Sequence, residues 1–212
     1  MRNANTIVLA STNRHKLEEF LILFKKHPEI EIEPADFFIR NPEKLGLVET
    51  SDQYFENAVA KARTCNHGCH YPSLADDSGL EVDALDGKPG VHSHRYAIPR
   101  AGETQDDANV KKLLEALKGV PLEKRTARFT CHLALVMEGV LLLTSGTIEG
   151  TITTEVLGHQ GFGYDPIFIP NGYNKTLAEL GPDVKNKISH RARAVDQLME
   201  EIARQEIILA RP

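Results

Sequence analysis

Two adjacent carboxylates, Asp76 and Asp77, stand in the run Leu74-Ala75-Asp76-Asp77-Ser78-Gly79-Leu80. Neighbouring acids repel each other and add nothing to an apolar core. Such a pair makes sense where a divalent cation neutralises it, or where one carboxylate accepts a proton. An acidic pair before Ser-Gly also makes an ordinary surface turn, and both readings stand at this point. Glu49 and Glu56 flank the start of the second expected helix. An acid there complements the helix dipole, yet Glu49 can also join Asp76 and Asp77 around one cation. Magnesium suits such a set, because it takes one or two carboxylates and leaves its other positions to waters and substrate phosphates.

Three further segments carry potential chemistry. Ser11-Thr12-Asn13-Arg14-His15-Lys16 joins an apolar strand to a helix. Free N–H groups and the positive dipole end suit phosphate there, with Lys16 adding charge, although the glycines of a Walker loop are missing. Gly161-Phe162-Gly163-Tyr164-Asp165-Pro166 sets aromatics between glycines. Glycine lets a ligand approach the backbone, and an aromatic face can stack a nucleobase; a tight turn around a packed Phe is the structural alternative. Lys185-Asn186-Lys187-Ile188-Ser189-His190-Arg191 is expected to open the last helix with a cluster of donors. Positive charge opposes the dipole at a helix start, which argues for an anionic or acceptor-rich ligand nearby. Cys65, His67, Cys69 and His70 contain zinc-ligating types, but at tighter spacing than zinc sites use and without a second ligand pair. No Ser/His/Asp or Cys/His relay is legible.

Hydrophobic periodicity supplies the elements that must position these residues. A strand is expected over Thr6–Ala10, with a helix over Arg14–Lys26 presenting Leu17, Phe20, Leu21 and Phe24. A half-exposed strand follows at Glu29–Glu33, then irregular chain from Pro34 to Glu49 and a helix from Asp52 to Asn66. Leu74-Ala75 and Leu80–Val82 read as short strands on either side of the acidic turn, and Pro89–Pro99 as loop. Thr104 can cap a helix over Gln105–Lys118, with Asp107 close to a capping box. Thr126–Met137 alternates with period two and turns at Glu138-Gly139 into Val140–Gly146; Ile148–Val156 extends the sheet. Gly158–Asp165 is a glycine-rich loop, Pro166–Ile169 a short strand and Ser189–Gln205 the final helix. Crossovers and a hairpin together imply an α/β chain with a mixed sheet.

The 212 residues, 41% of them hydrophobic, suffice for one substantial core. A net charge of −5 and the lack of a dense basic run disfavour nucleic-acid binding. The longest apolar runs, Leu133–Met137 and Val140–Leu143, are too short for a bilayer, and Met1–Ala10 lacks a signal-peptide core. Three cysteines without a secretion signal fit reduced thiols. A cytoplasmic protein without a membrane partner is expected.

Taken together, Ser11-Thr12-Asn13 with Lys16, Leu74–Leu80, Phe162–Pro166 and Lys185–Arg191 resemble the Ham1-like, or inosine triphosphate pyrophosphatase, family. Phe55-Glu56-Asn57-Ala58 and Pro89-Gly90-Val91 also fit, so the resemblance runs in order along nearly the whole chain. Ser11 stands where the family often has threonine, and His92 and His94 depart from its usual Pro89–Tyr96 loop. Tyr164 resembles the bacterial branch. The resemblance implies a single pyrophosphatase domain over 1–212, an elongated mixed sheet flanked by helices, and two lobes with a central cleft. It implies a homodimer that hydrolyses inosine, xanthosine and the corresponding deoxynucleoside triphosphates to monophosphate and pyrophosphate, cleansing the nucleotide pool, with Mg2+ as cofactor. By the same resemblance Asp77 is proton acceptor and metal ligand, and Glu49 is the second metal ligand. Substrate falls to Ser11, Thr12, Asn13, Arg14, His15, Lys16, Ser78, Phe162, Gly163, Tyr164, Asp165, Lys185, His190 and Arg191. Three competing readings are a non-catalytic nucleotide-binding module, a Maf-like pyrophosphatase for other nucleotides, and a zinc-stabilised interaction protein.

Overall fold

A computed structural model describes residues 5–209; Met1–Ala4, part of the segment read for a leader, lie outside the described residues. In chain order the elements are β1 (Thr6–Leu9), α1 (Arg14–Leu23), β2 (Glu31–Pro34), α2 (Lys44–Leu47), α3 (Tyr54–Cys69), β3 (Ser73–Val82) and β4 (Pro89–Gly90). There follow α4 (Gln105–Ala116), β5 (Thr126–Met137), β6 (Val140–Ile152), β7 (Phe168–Pro170), α5 (Leu177–Ile188) and α6 (His190–Arg204). The strands pair in the order β2-β1-β3-β5-β6-β7, with β4 on β3. β1 runs parallel to both β2 and β3, whereas β3–β4 and β6–β7 are antiparallel, giving the expected mixed α/β sheet.

The chain forms two compact units. The first holds residues up to Asp77 with Cys131–Gly146 and the segment from Arg191; the second holds Ser78–Thr130 and Thr147–His190. In the first unit β1 is buried on both faces, so its sequence is a continuous apolar run. Ile7, Leu9, Leu133 and Leu135 pack on Phe20 and Leu23 of α1 and Val195 and Leu198 of α6. Val8, Ala10, Ala134 and Val136 pack on Ala58, Ala62, Cys65 and Cys69 of α3. Period two sorts each strand between these layers, and small residues on α3 let that helix lie close to the sheet. In the second unit Leu80, Val82, Phe129, Ile148 and Ile152 pack against Val110 and Leu113 of α4, Leu117 at its C-cap and Leu177 of α5.

Several expected boundaries need correction. The acidic run is not a turn between two short strands: Asp76 and Asp77 lie inside the ten-residue strand β3 and are both buried. Charge partners make this possible, as described below. Val140–Gly146 and the first part of the expected Ile148–Val156 strand are one strand, β6, which ends at Ile152, because Gly146 does not interrupt the alternation. The stretch Pro34–Glu49, expected to be irregular, contains a 3-10 turn at Ala35–Phe37 and the short α2. Ahead of the final helix stands α5, which periodicity missed; its Thr176–Glu179 capping box was legible, but Gly181 and Pro182 interrupt the helical pattern. Lys185 and Lys187 therefore lie in the last turn of α5, where positive charge is favourable. The argument that they oppose a dipole does not hold.

Candidate active site

The expected residues fall into two clusters, one in each unit. In the first unit, Asn13 caps α1: its Oδ1 accepts the Lys16 N–H at 3.2 Å. One turn of helix then points the Lys16 ammonium at the carboxylate of Asp76, with Nζ and Oδ2 3.1 Å apart. The guanidinium of Arg191, at the start of α6, reaches the same Oδ2 through Nε at 3.5 Å and meets Glu19 Oε2 through Nη1 at 2.8 Å. Asp76 and Arg191 are 1% and 4% exposed, so these pairs are desolvated. Burial alone lowers the pKa of Arg191, but Glu19 and Asp76 more than reverse it, and the guanidinium stays charged.

Asp77 points to the other face, as strand alternation requires. Asn57 Nδ2 donates to its Oδ2 at 2.9 Å. The same amide group donates to the Ser51 carbonyl and accepts the Ser51 N–H, which ties the segment after Glu49 to α3. Burial raises the pKa of Asp77, opposed by Lys61, Lys16 and the Asn57 hydrogen bond and reinforced by Glu49. A carboxylate in that position is a stronger base than an exposed one.

Lys61 is the residue that sequence reasoning missed. It lies on the buried face of α3, one turn after Asn57, and its ammonium donates to Glu49 Oε1 and to the Asp76 carbonyl. Burial lowers its pKa, and Asp76, Glu49 and Asp77 together push it above the ordinary value. A charged residue flanked by Ala58 and Ala62 was the available signal: at that helical position a core residue is expected. Glu49 and Asp77 offer carboxylate oxygens, the hard ligands magnesium takes, beside the Lys61 ammonium on Glu49 and the Asn57 amide on Asp77. Among the described residues no three His, Cys, Asp or Glu side chains form a metal cage. Magnesium, which relies on substrate oxygens and water, does not need one.

The zinc alternative fails on helix geometry. Cys65 and Cys69 are four residues apart and face the core, whereas His67 and His70 are exposed.

In the second unit the glycine-rich loop is built on Asp165. Its Oδ2 accepts the Phe162 N–H at 3.0 Å and the Lys185 ammonium at 2.5 Å. That ammonium also lies 4.5 Å from the centroid of the Phe162 ring, a cation–π distance. Lys185 is therefore committed to Asp165 and to one face of Phe162. Gly161 adopts φ +80°, and a Cβ there would fall 2.1 Å from Asp165 Oδ2, so glycine is required. The Tyr164 hydroxyl donates to the Ser93 carbonyl at 2.9 Å. His190 stacks on Phe129 with ring centroids 5.0 Å apart and planes 11° apart. Ser78 directly follows Asp77 on β3.

The Ham1 family profile matches residues 7–201. The dITP/XTP pyrophosphatase of Geobacillus kaustophilus (strain HTA426) is 46% identical over 197 residues, covering 92% of this chain and 93% of its own. That of Bacillus subtilis (strain 168) is 44% identical over 197 residues, with coverages of 90% and 93%. A HAM1 protein from Coxiella burnetii superposes with a TM-score of 0.78 at 39% identity, covering 94% of this chain and 98% of its own.

Proposed function

The chain belongs to the Ham1 family, and from that premise we propose that it hydrolyses non-standard purine nucleoside triphosphates, those of inosine, deoxyinosine, xanthosine and deoxyxanthosine, to monophosphate and pyrophosphate. The observation that carries the reading is the unequal treatment of two adjacent buried carboxylates. Asp76 is neutralised by Lys16 and Arg191 and serves as an anchor. Asp77 is desolvated and oriented by Asn57, and serves as a base.

In this reading water attacks the α-phosphorus, and the bond to the bridging oxygen breaks. The proton of the water passes to the Asp77 carboxylate, and pyrophosphate leaves with the bonding electron pair. Lys16 and the α1 N-terminus hold phosphate oxygens. Lys61 keeps Glu49 and Asp77 side by side by offsetting their repulsion. Glu49 and Asp77 would hold Mg2+, which when bound supplies charge neutralisation on the triphosphate. No side-chain nucleophile is needed.

The second unit reads the base. The Phe162 ring, with the Lys185 ammonium 4.5 Å from its centroid, is the stacking surface for the purine. His190 contributes a donor toward the 6-oxygen that hypoxanthine and xanthine share; adenine carries an amino group there and would leave that donor facing another. A homodimer in the cytoplasm completes the proposal; its three cysteines are free thiols, and among the described residues no helix is long and apolar enough to cross a membrane. A triphosphate panel with and without magnesium, assayed for monophosphate and pyrophosphate, tests the chemistry. Release of inorganic phosphate instead, or equal rates for adenosine and inosine triphosphates, would overturn it.

A further inference from the structure

Glycines allow the 158–165 loop its shape but do not hold it. Gly163 adopts φ +60°, and a backbone with three positive-φ glycines, Gly158, Gly161 and Gly163, has much freedom to lose. Two carboxylates remove that freedom on either side of the aromatic ring. Asp165, within the loop, accepts the Phe162 N–H. Asp106, in the first turn of α4 and 57 residues away in sequence, accepts the Gly163 N–H through Oδ2 at 2.7 Å. A charge-assisted bond of that length is roughly twice as strong as a neutral one. The same helix grips the loop a second time. Asn109 of α4 donates to the Ser93 carbonyl at 3.2 Å, and the Tyr164 hydroxyl donates to that carbonyl as well. The backbone around Phe162 is thus referenced to α4, a rigid element with a full hydrophobic face.

We propose that Asp106 is a positioning residue for base recognition: by holding the Gly163 amide it fixes the plane of Phe162 against which the purine stacks. This rests on the pyrophosphatase reading above. It also divides the labour of specificity. The amides of Phe162 and Gly163 are both committed to carboxylates, so this part of the loop gives the base an aromatic face and no N–H donor. The purine edge must be read by side chains outside it.

Asp106 also places negative charge in the first turn of α4, which stabilises the helix by itself. Two substitutions separate the roles. Asp106→Asn keeps an oxygen acceptor and loses the charge; Asp106→Ala loses both. The measurements are kcat and KM for deoxyinosine triphosphate, melting temperature, and hydrogen exchange of the Gly163 amide in the ligand-free protein. Asp106→Ala should raise KM about tenfold, the equivalent of one lost hydrogen bond, while kcat changes by less than about threefold. Its Gly163 amide should lose protection. Asp106→Asn should restore KM and amide protection but keep the lowered melting temperature of the alanine variant. An unchanged KM in Asp106→Ala overturns the proposal, and so does equal impairment of KM in both variants. If the wild-type protein hydrolyses no purine triphosphate, the pyrophosphatase reading fails on its own account. The Gly163 amide then still decides whether Asp106 holds the loop.

Discussion

The two clusters of candidate site residues use their carboxylates differently. In the first, Asp76, Asp77, Glu19 and Glu49 face Lys16, Lys61 and Arg191, so buried charge answers buried charge across several elements. In the second, Asp106 accepts the Gly163 amide and Asp165 accepts the Phe162 amide as well as the Lys185 ammonium, and the result is the shape of a loop around Phe162. In the proposed reading the first cluster faces the triphosphate. A loop matched to a ring selects a flat ligand. Damage to the first region should therefore affect every triphosphate alike, whereas damage to the second should weaken purine binding through Phe162 and, at His190, change how one base is told from another.

The largest effect is expected at Asp77. Asp77→Asn is nearly isosteric and keeps the strand, but it removes the proposed base. Because general bases contribute roughly 10²–10⁴-fold, kcat should fall by about that factor or more for inosine, xanthosine and adenosine triphosphates together. Near-normal turnover in a folded Asp77→Asn protein would remove Asp77 from its assigned role. Next comes Lys61→Met, which fits the volume but leaves Glu49, Asp76 and Asp77 without their shared cation. Breaking a buried pair from one side costs about 3–5 kcal/mol, discounted here because the Glu49 side chain is 23% exposed. Urea unfolding should show a loss of about 2–4 kcal/mol together with reduced turnover of all purines. Full stability in Lys61→Met would mean that the acidic cluster does not depend on it.

Why Asp77 was legible in the sequence and Lys61 was not follows from their settings. A pair of adjacent acids between apolar residues violates local expectation, and the violation itself marks a candidate. Lys61 violates the pattern of α3 just as plainly, but a lysine on a helix is read as solvated by default. Its role depends on Asp76, fifteen residues on and in another element, and on Glu49, before the helix. Asp106 is hidden more deeply. In sequence it is a helix-start acid like any other, and only the fold brings it to Gly163. The sheet and most helices were visible because their burial is periodic; β3 was misread because charge compensation by distant residues allowed acids where a strand should have been apolar. The segment 185–191 shows the opposite failure. Read as one helix start it seemed a single donor cluster, whereas Lys185 closes α5 and Arg191 belongs to the charge network of the first unit.

That split sharpens the comparison at His190 and Arg191, neighbours in sequence. Arg191→Ala should behave like a first-unit variant, because Glu19 and Asp76 lose a buried guanidinium; stability and turnover of every purine should drop together. His190→Ala should narrow the preference for inosine over adenosine triphosphate by about 1–3 kcal/mol, the worth of one discriminating hydrogen bond. Phe162→Ala should weaken all purines by about 1–3 kcal/mol, since stacking is tolerant of base identity. The readout is kcat/KM for both triphosphates in each variant. An unchanged preference in His190→Ala would move base selection elsewhere.

The smallest effect tests the loop anchor through pH. Burial raises the Tyr164 pKa well above its ordinary value, with Tyr96 and Asp106 adding in the same direction. The folded protein thus holds the phenolic proton more tightly than the unfolded chain, whose tyrosines titrate near about pH 10. The sign follows: the stabilisation is fully present below about pH 10 and is lost as pH rises from there through the raised folded value. Tyr164→Phe removes this titration and also removes the donor to the Ser93 carbonyl, which keeps Asn109 as a partner. At pH 7 the variant should therefore be less stable by about 1 kcal/mol. Above about pH 10 the wild-type protein loses stability that the variant does not have to lose, so the gap should close or reverse. Urea unfolding of both proteins at neutral and alkaline pH measures it. A constant gap across that range would mean that the phenol is not held in its neutral form, and that Tyr164 anchors the loop by packing alone.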